Sequence, residues 1–359
     1  MLLQVLSLSI IVCGSLAFDG CKILEISPKS TQQSNVIEKL TNSYDFIKRT
    51  RKEPSQVLVR PEEEKEITAI LRQSKIDFKI IYQFNFNSKN SDGTQEYCDA
   101  DKSYCFYKEA NNFYSAGMHA REWISPAVGL YVIKELIEKP SENKQLLETH
   151  DWVIMPLINA DGYEFTRSDP KNRLWRKTRK PYGNCFGVDP NRNFDYKFGF
   201  SGTSTNECSD IFRGPKPFSE PETAVLRDVL KFYTGRISFY LTLHSHGGYL
   251  LYPWGYDQID AQNKNELEDV AQAGYQAIFK LSGRKYEVGN SAKLLYAAAG
   301  ASDDFAYHEG ARISITMELP SGGPTGFDPP PKDIKKYVEE SWVGIRAMAS
   351  KVIEKYNKK

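Results

Sequence analysis

From residue 112 onward, short apolar runs alternate with segments of helical periodicity. The strand-like runs are Phe113–Ala116, Trp152–Ile158, Ile237–His244 and Ile313–Leu319, and the helical patterns are Ser125–Glu138, Glu220–Tyr233 and Lys332–Ala349. Such alternation is typical of an α/β protein in which helices cover a mostly parallel sheet. We therefore predict a mixed, mostly parallel sheet flanked by helices for this part of the chain.

Residues 18–87 follow a different pattern, which predicts a second, smaller domain. Strand-like runs at Lys22–Ile26, Gln56–Val59 and Phe78–Tyr82 alternate with a polar helix at Gln33–Leu40 and with a helix that starts at Pro61. Proline is favoured at the first helical position, and the three glutamates that follow suit the first turn. Two β-α-β pieces in so short a stretch indicate a small α+β open sandwich.

Residues 1–17 are almost entirely apolar and end in Ser15-Leu16-Ala17, the small-x-small pattern of a signal-peptidase site. A membrane anchor is the alternative, but the run is shorter than the roughly 20 residues that span a bilayer. We expect a signal peptide and a secreted, extracellular protein. With 47 basic and 46 acidic side chains, the chain has no charge excess that would attract nucleic acid or a membrane surface.

Secretion permits disulfide bonds, and five cysteines follow the predicted signal peptide. Cys185 and Cys208 bracket a segment rich in Gly, Ser and Asn, which suits a cross-link. Cys98 and Cys105 are close enough in sequence to pair locally, which would leave Cys21 unpaired. The sequence predicts the first pair and leaves the pairing of the other three cysteines open.

Three side chains in the larger domain form a candidate metal site. His119 and Glu122 follow the strand-like run that ends at Ala116, and His244 ends another such run. Ligand-binding residues in α/β proteins gather beyond the carboxyl ends of the strands, so these side chains can converge. Two imidazoles and one carboxylate are a ligand set for catalytic zinc that leaves a position for water. Taken alone, a His-x-x-Glu pair is more often an ordinary surface pair.

Seven sequence blocks occur in a characteristic order: GMHAREWISPA, MPLINADGYEFT, NRLWRKTR, GVDPNRNFD, HSHGGYLLYPWG, YAAAGASDDFAY and ITMEL. In order and spacing they resemble the A/B-type zinc metallocarboxypeptidases. The resemblance implies a catalytic domain at 112–359 with one Zn²⁺ ion, bound by His119, Glu122 and His244. It also implies an inhibitory, ferredoxin-like pro-domain at 18–87, and hence a monomeric zymogen that a trypsin-like protease activates.

Two further residues are predicted to act in catalysis. Within Ile313–Leu319, alternation places Glu318 on the polar face with Ser314 and Thr316. A carboxylate beside the metal can take a proton from water and pass it to the leaving amine. The resemblance assigns this role to Glu318, otherwise a surface glutamate, and assigns stabilisation of the oxyanion to Arg176. The basic run around Arg176 would otherwise be a solvated loop or a polyanion-binding patch.

An exopeptidase must recognise the free carboxylate of its substrate, and a guanidinium group fits that task in a bidentate manner. The resemblance assigns this clamp to Asn191 and Arg192. Tyr296 would close over the bound end, although a core aromatic is the alternative. Arg121 would belong to a secondary subsite, and Asp189 would orient His119.

Asp303 occupies the position where family members that prefer Lys or Arg carry an aspartate, which makes the pocket most similar to that of carboxypeptidase B. A buried carboxylate without a cationic partner is costly, so Asp303 in a pocket implies a basic ligand. Alternatively, Ser302, Asp303 and Asp304 form a helix N-terminus capped by the serine. His150 and His308 match no ligand of the family and are expected at the surface, whereas His246 is expected to line the cleft.

We therefore predict a secreted zinc metallocarboxypeptidase. It would hydrolyse the C-terminal bond of peptides and proteins, prefer C-terminal Lys or Arg, and use zinc-activated water with Glu318 as the general base. Residues 88–111 are shorter than the corresponding part of the family and are interpreted as a shortened connecting segment. A catalytically impaired, peptide-binding relative is therefore an alternative. A metal-dependent amidohydrolase of small acylated amino acids is a third, disfavoured by the pro-domain and Tyr296.

Overall fold

The computed structural model describes residues 8–10, 22–40, 43–48, 54–83 and 112–356. The chain divides into two compact units, residues 15–106 and residues 1–14 together with 107–359. The predicted connecting segment and the three cysteines of open pairing lie outside the described residues. The first strand, β1 (Leu8–Ile10), belongs to the larger unit although it falls within the predicted signal peptide.

The smaller unit is an antiparallel sheet with two helices. Its elements are β2 (Lys22–Ser27), α1 (Thr31–Leu40), β3 (Asp45–Lys48), β4 (Ser55–Val59), α2 (Glu64–Gln73) and β5 (Asp77–Gln83). The strand order is β3-β4-β2-β5, and side chains such as Leu24, Val57 and Ile67 form a core of their own. Helix α2 begins at Glu64 and not at Pro61, because the Glu63 carboxylate accepts the backbone amide of Arg60 and holds a turn there.

The larger unit contains the α/β sheet. Its strands are β6 (Asn112–Ala116), β7 (Trp152–Met155), β8 (Pro181–Tyr182), β9 (Cys185–Phe186), β10 (Phe239–Ser245), β11 (Tyr249–Tyr252), β12 (Glu287–Asn290) and β13 (Ile313–Leu319). Its helices are α3 (Ile124–Glu138), α4 (Lys144–Thr149), α5 (Ala160–Ser168), α6 (Pro221–Phe232), α7 (Lys264–Ser282), α8 (Ser291–Leu294), α9 (Ser302–His308) and α10 (Pro331–Tyr356). No helix of the described residues is long and apolar enough to cross a membrane.

Seven strands in the described residues form one mixed sheet in the order β1-β7-β6-β10-β13-β11-β12. The five strands from β1 to β13 run parallel, β11 runs antiparallel to β13, and β12 runs parallel to β11. Strands β8 and β9 form a separate hairpin. This architecture confirms the predicted mixed, mostly parallel sheet flanked by helices.

Side chains alternate between the two faces of the sheet, and each face has its own core. Tyr114 and Leu241 pack in the cluster that includes residues of α3, α7 and α10, whereas Phe113 and Tyr240 pack in the cluster that includes residues of α6 and α9. Strands buried on both faces are typical of parallel sheets covered by helices. The central strands are therefore rigid, and the residues at their carboxyl ends are held in fixed positions.

Candidate metal centre and catalytic cleft

The residues of the candidate site lie at or just beyond the carboxyl ends of three neighbouring strands, β6, β10 and β13. Leu243 of β10 lies opposite Ala116 of β6, and His244 lies opposite Glu318 of β13. The chain leaves β6 through residues 117 and 118 and reaches His119 directly beyond the strand end. The loop is fixed at its base, because Ser125 Oγ accepts the Gly117 amide at 2.9 Å and donates to the Leu243 carbonyl at 2.5 Å.

The ligand atoms of His119, Glu122 and His244 converge within 4.8 Å of one another, and all three side chains are buried. His119 Nδ1 lies 2.7 Å from Glu122 Oε1. His244 Nδ1 lies 3.1 Å from Glu122 Oε2 and 3.1 Å from His119 Nδ1. Two imidazole nitrogens and a carboxylate that face one another across so small a space fit a divalent metal ion, and the donor set suits zinc. Within the described residues this is the one cluster of its kind.

The protonation states of Glu122 and His119 favour metal binding, whereas that of His244 opposes it. Burial opposes ionisation of Glu122, but His119 and His244 outweigh it and lower the pKa of the carboxyl. Burial and the Arg176 charge lower the pKa of His119, which favours the neutral imidazole. Burial lowers the pKa of His244, but Glu122 raises it by more, so a metal ion and a proton compete for Nδ1.

Asp189 links His119 to the neighbouring arginine. Its Oδ1 lies 3.1 Å from His119 Nε2, and its Oδ2 accepts Nε and Nη2 of Arg176 at 3.0 and 2.9 Å. Burial disfavours the charged form of Asp189, but Arg176 and Arg192 outweigh it and hold the pKa well below the usual range. The carboxylate thus fixes the orientation of the His119 ring, as partners of metal-bound histidines do.

Glu318 lies beside the metal-ligand cluster and has an unused oxygen. Its Oε2 is buried and finds no hydrogen-bond partner in the described part of the chain. Burial raises the pKa of Glu318 to about 7, with Glu122 adding to the effect and His244 opposing it. Buried polar atoms are nearly always hydrogen-bonded, so this oxygen requires a ligand or water.

The rim of the cleft is built from three chain segments. The Arg121 guanidinium lies 4.6 Å from the centre of the Phe327 ring, and His246 packs edge-on against the same ring at 4.7 Å. His246 Nδ1 is 2.7 Å from Ser321 Oγ. Arg173 joins the segments, because it donates to the carbonyl groups of Arg121 and Phe327, each at 2.7 Å.

The predicted carboxylate clamp, Asn191 and Arg192, is held in place by hydrogen bonds to backbone carbonyl groups. The buried Arg192 donates through Nε to the Gly202 carbonyl at 2.9 Å and through Nη1 to the Asn191 carbonyl at 2.8 Å. Tyr296 follows α8 and is 60% exposed, so the alternative that it is a core aromatic is wrong. Burial lowers the pKa of Arg176, but Asp189 and Glu122, with a smaller effect from Tyr296, outweigh it and raise the pKa.

Asp303 is buried in the first turn of α9. Its Oδ2 accepts Thr316 Oγ1 at 2.9 Å, and its carbonyl accepts Ser314 Oγ at 2.8 Å. Within the described residues no Lys, Arg or His forms an ion pair with it. Ser302, Asp303 and Asp304 do form a helix N-terminus, as the alternative had it. The serine cap is wrong, because Ala301 is the N-cap residue and Ser302 Oγ has no hydrogen-bond partner among the described residues.

Sequence reasoning missed Asn159 near the site and misplaced His150 elsewhere in the larger unit. The buried Asn159 donates to the carbonyl groups of Met118 and Lys177, at 3.2 and 3.0 Å, and so joins the His119 segment to the Arg176 segment. A polar residue directly after the apolar run of β7 was the available signal. The surface prediction for His150 is wrong: the side chain is 4% exposed where α4 joins β7, and burial lowers its pKa to about 4. His308 is exposed, as expected.

The predicted disulfide is present between Cys185 and Cys208. The loop that it closes contacts the segment of Arg176, because the Glu207 carbonyl accepts Lys177 Nζ at 2.7 Å. Just beyond the loop, Asp210 lies 3.5 Å from Arg121 Nη1.

A mostly parallel α/β sheet with a buried His-Glu-His set at its carboxyl edge defines a metal-binding protein of the α/β class. Family models agree: residues 107–344 match the zinc carboxypeptidase domain, and residues 24–83 match the carboxypeptidase activation peptide. The chain belongs to the zinc carboxypeptidase family. The cofactor of this family is zinc, and His119, Glu122 and His244 form the site that fits it.

Named relatives agree with this placement. Carboxypeptidase B of Helicoverpa zea is 43% identical over 244 residues, which cover 65% of this chain and 56% of the relative. Zinc carboxypeptidase A 1 of Drosophila melanogaster is 42% identical over 245 residues, which cover 67% of this chain and 56% of the relative. The chain thus spans little more than half the length of these two relatives. Among solved structures, carboxypeptidase A from Helicoverpa armigera is 25% identical in sequence to this chain and superimposes on it with a TM-score of 0.64. The match covers 95% of this chain and 99% of the Helicoverpa armigera chain.

Proposed function

We propose that this chain is a secreted zinc metallocarboxypeptidase that hydrolyses the C-terminal bond of peptides and proteins and prefers C-terminal Lys or Arg. The main support is the arrangement at one sheet edge, where His119, Glu122 and His244 form a buried set and His244 lies opposite Glu318 in strand register. The activation-peptide match supports a zymogen. The apolar run at residues 1–17 supports secretion.

When bound, zinc supplies Lewis acidity, which polarises the scissile carbonyl and makes water more acidic. Glu318 acts as general base through its unpartnered Oε2, and the same carboxyl then delivers the proton to the leaving amine. Arg176 is fixed on Asp189 through Nε and Nη2, which leaves Nη1 to stabilise negative charge on the carbonyl oxygen. Because this donor is oriented before the reaction, no reorganisation is needed in the transition state.

The clamp residues Asn191 and Arg192 bind the C-terminal carboxylate of the substrate. Arg192 uses Nε and Nη1 on protein carbonyl groups, so its Nη2 is available for the carboxylate of the peptide. The exposed Tyr296 is free to close over the bound end. Arg121 on the rim contributes to a secondary subsite. A free carboxylate requirement of this kind makes the enzyme an exopeptidase.

The preference for basic residues rests on Asp303. The carboxylate is buried and receives one side-chain hydrogen bond, from Thr316. Burying a charge is costly unless it is paired, and a substrate Lys or Arg side chain supplies the partner. An apolar C-terminal side chain would leave the carboxylate unpaired.

The test is hydrolysis of two matched peptides that end in Arg and in Phe. The full chain is treated with trypsin to release the pro-domain, and each rate is measured with and without a zinc chelator. We expect chelator-sensitive release of Arg in preference to Phe. Glu318→Gln is expected to lower kcat about 10²- to 10⁴-fold while zinc still binds.

Each other outcome contradicts one part of the proposal. Preferred release of Phe would contradict the assignment of Asp303 and leave the metal chemistry in place. A Glu318→Gln variant as active as the wild type would contradict the general base. No release from folded, zinc-loaded protein would favour a non-catalytic, peptide-binding relative.

A further inference from the structure

Asn191 connects the carboxylate clamp to the specificity pocket. Its side-chain Oδ1 accepts the backbone amide of Ser302 at 2.9 Å, across 111 residues of sequence. The backbone carbonyl of Asn191 accepts a hydrogen bond from Arg192 Nη1, and its backbone amide donates to Asp189 Oδ1 at 2.9 Å. A backbone amide can only donate, so the Ser302 bond fixes which end of the carboxamide is oxygen.

Ser302 begins α9, and the next residue is Asp303. A second contact holds the same junction, because the Phe194 amide donates to the Gly300 carbonyl at 3.0 Å. Gly300 has φ +73°, and a Cβ there would lie 2.5 Å from the Arg192 carbonyl oxygen. The clamp segment and the start of α9 are therefore in direct contact, and the Asn191 carboxamide is the side chain that joins them.

We propose that Asn191 is a positioning residue that sets the place of Asp303 through its hydrogen bond to Ser302, and so couples recognition of the carboxylate to selection of the side chain. This inference rests on the proposed function. Loss of Oδ1 releases the first turn of α9, and the Asp303 carboxylate moves relative to Thr316 on β13. A residue that served the carboxylate alone would change affinity for every peptide equally.

The decisive probe is butylguanidinium, a basic side-chain analogue that has no carboxylate for Asn191 to bind. We expect Asn191→Ala to weaken its binding about three- to tenfold, the size of one lost hydrogen bond, as measured by calorimetry on the activated zinc enzyme. The ratio of kcat/KM for Arg-ending over Phe-ending peptides is expected to fall by a similar factor. Asn191→Asp keeps an acceptor oxygen and adds a negative charge, so we expect butylguanidinium to bind at least as tightly as to the wild type, although the charge repels the substrate carboxylate and slows both peptides.

Tyr296→Phe is the matched control, because Tyr296 is exposed and, in the described part of the chain, makes no hydrogen bond to α9. It is expected to slow both peptides by one factor, with the selectivity ratio and butylguanidinium binding unchanged. Should Asn191→Ala fail to fold, Asn191→Ser, whose side chain is too short to reach Ser302, replaces it.

Butylguanidinium binding and a selectivity ratio within twofold of the wild type in these variants would overturn the inference and leave the proposed function intact. A zinc-loaded wild type that cleaves neither peptide but binds butylguanidinium would instead overturn the proposed hydrolysis. Calorimetry of butylguanidinium binding to the wild type and to Asn191→Ala would still test the positioning role of Asn191. A wild type that neither cleaves nor binds would overturn both.

Discussion

Asp303 and Asp304 are adjacent buried carboxyl groups with different surroundings. Asp304 accepts the backbone amides of Gly255 and Tyr256 at 2.8 and 2.9 Å, yet burial and the neighbouring Asp303 raise its pKa well above the usual range. Asp304 thus anchors a turn through both of its oxygens. Asp303 instead contacts β13 through the Thr316 hydroxyl, and it is the member of the pair that we propose binds a cation.

Replacing Asp303 tests this division of roles. Asp303→Asn keeps the shape of the side chain and its contact with Thr316 but removes the charge. We expect kcat/KM for an Arg-ending peptide to fall about 30- to 100-fold, since a buried charge pair is worth about 2–3 kcal/mol or more, while a Phe-ending peptide changes little. Asp304→Asn, which alters the adjacent carboxyl group that anchors the turn at Gly255 and Tyr256, is the control. Equal losses for both peptides in Asp303→Asn would refute the charge-pairing argument.

Glu222 gives a prediction for stability. It lies in the first turn of α6, and its Oε2 is buried without a partner among the described residues. Burial raises its pKa to about 7, with Glu220 and Asp161 adding to the effect. The folded state thus binds the proton more tightly than the unfolded chain. The associated stability is fully present below the unfolded pKa and is lost as the pH rises through 7.

Glu222→Gln is neutral at every pH and escapes this loss. We expect the variant to match the wild type near pH 4.5 and to exceed its free energy of unfolding by about 2 kcal/mol at pH 8. Urea unfolding at the two pH values measures the difference. Glu164→Gln, at an exposed position, should show none. A Glu222→Gln advantage that does not depend on pH would show that the carboxylate is not destabilising.

The sequence predicted the metal-ligand set because its residues follow apolar strands and occur in recognisable blocks. It could not predict burial that depends on tertiary packing. His150 is polar and lies between two predicted elements, yet the junction of α4 and β7 buries it. Asn159 and Arg173 join segments that are distant in sequence, and no local pattern encodes such contacts.

At the scale of elements, the long periodic segments were the predictable ones. Strand β13 has the predicted limits, α3 begins one residue before the predicted start, and α6 is one residue shorter than predicted at each end. The prediction omitted α7, although it is a helix of 19 residues, and the flanking strands β11 and β12. The sequence does carry the signal for α7, because Leu267, Val270, Ala271, Gly274 and Ile278 recur at helical spacing and Gly283 ends the helix in a left-handed conformation.

The disulfide loop gives a prediction at this scale. Cys185 and Cys208 close a loop with a sequence separation of 23 residues, and Lys177 binds a carbonyl group within it. Replacing both cysteines by serine is expected to lower the free energy of unfolding by about 3 kcal/mol, mainly because the unfolded chain gains conformational entropy. Denaturant unfolding under oxidising conditions measures this. On reduction, the wild type should lose about 3 kcal/mol more than the variant does. Equal stabilities of the oxidised proteins would contradict the prediction.

For the whole molecule, two units each bury a core of their own. Leu24 and Ile67 belong to the core of the smaller unit, and the sheet of the larger unit separates two other clusters. The metal-ligand set lies entirely in the larger unit. A ligand that binds only the folded form stabilises the unit that binds it.

We therefore expect two thermal transitions in calorimetry of the full chain and expect zinc to move only one. Free zinc at 100 times its Kd adds about 2.7 kcal/mol to the larger unit, which corresponds to an increase of roughly 5–10 °C in Tm. His119→Ala should abolish the shift, because it removes a ligand without touching the smaller unit. Trypsin treatment should remove the zinc-insensitive transition and leave the other. A shift of both transitions by zinc, or persistence of the shift in His119→Ala, would contradict a single metal centre at His119, Glu122 and His244.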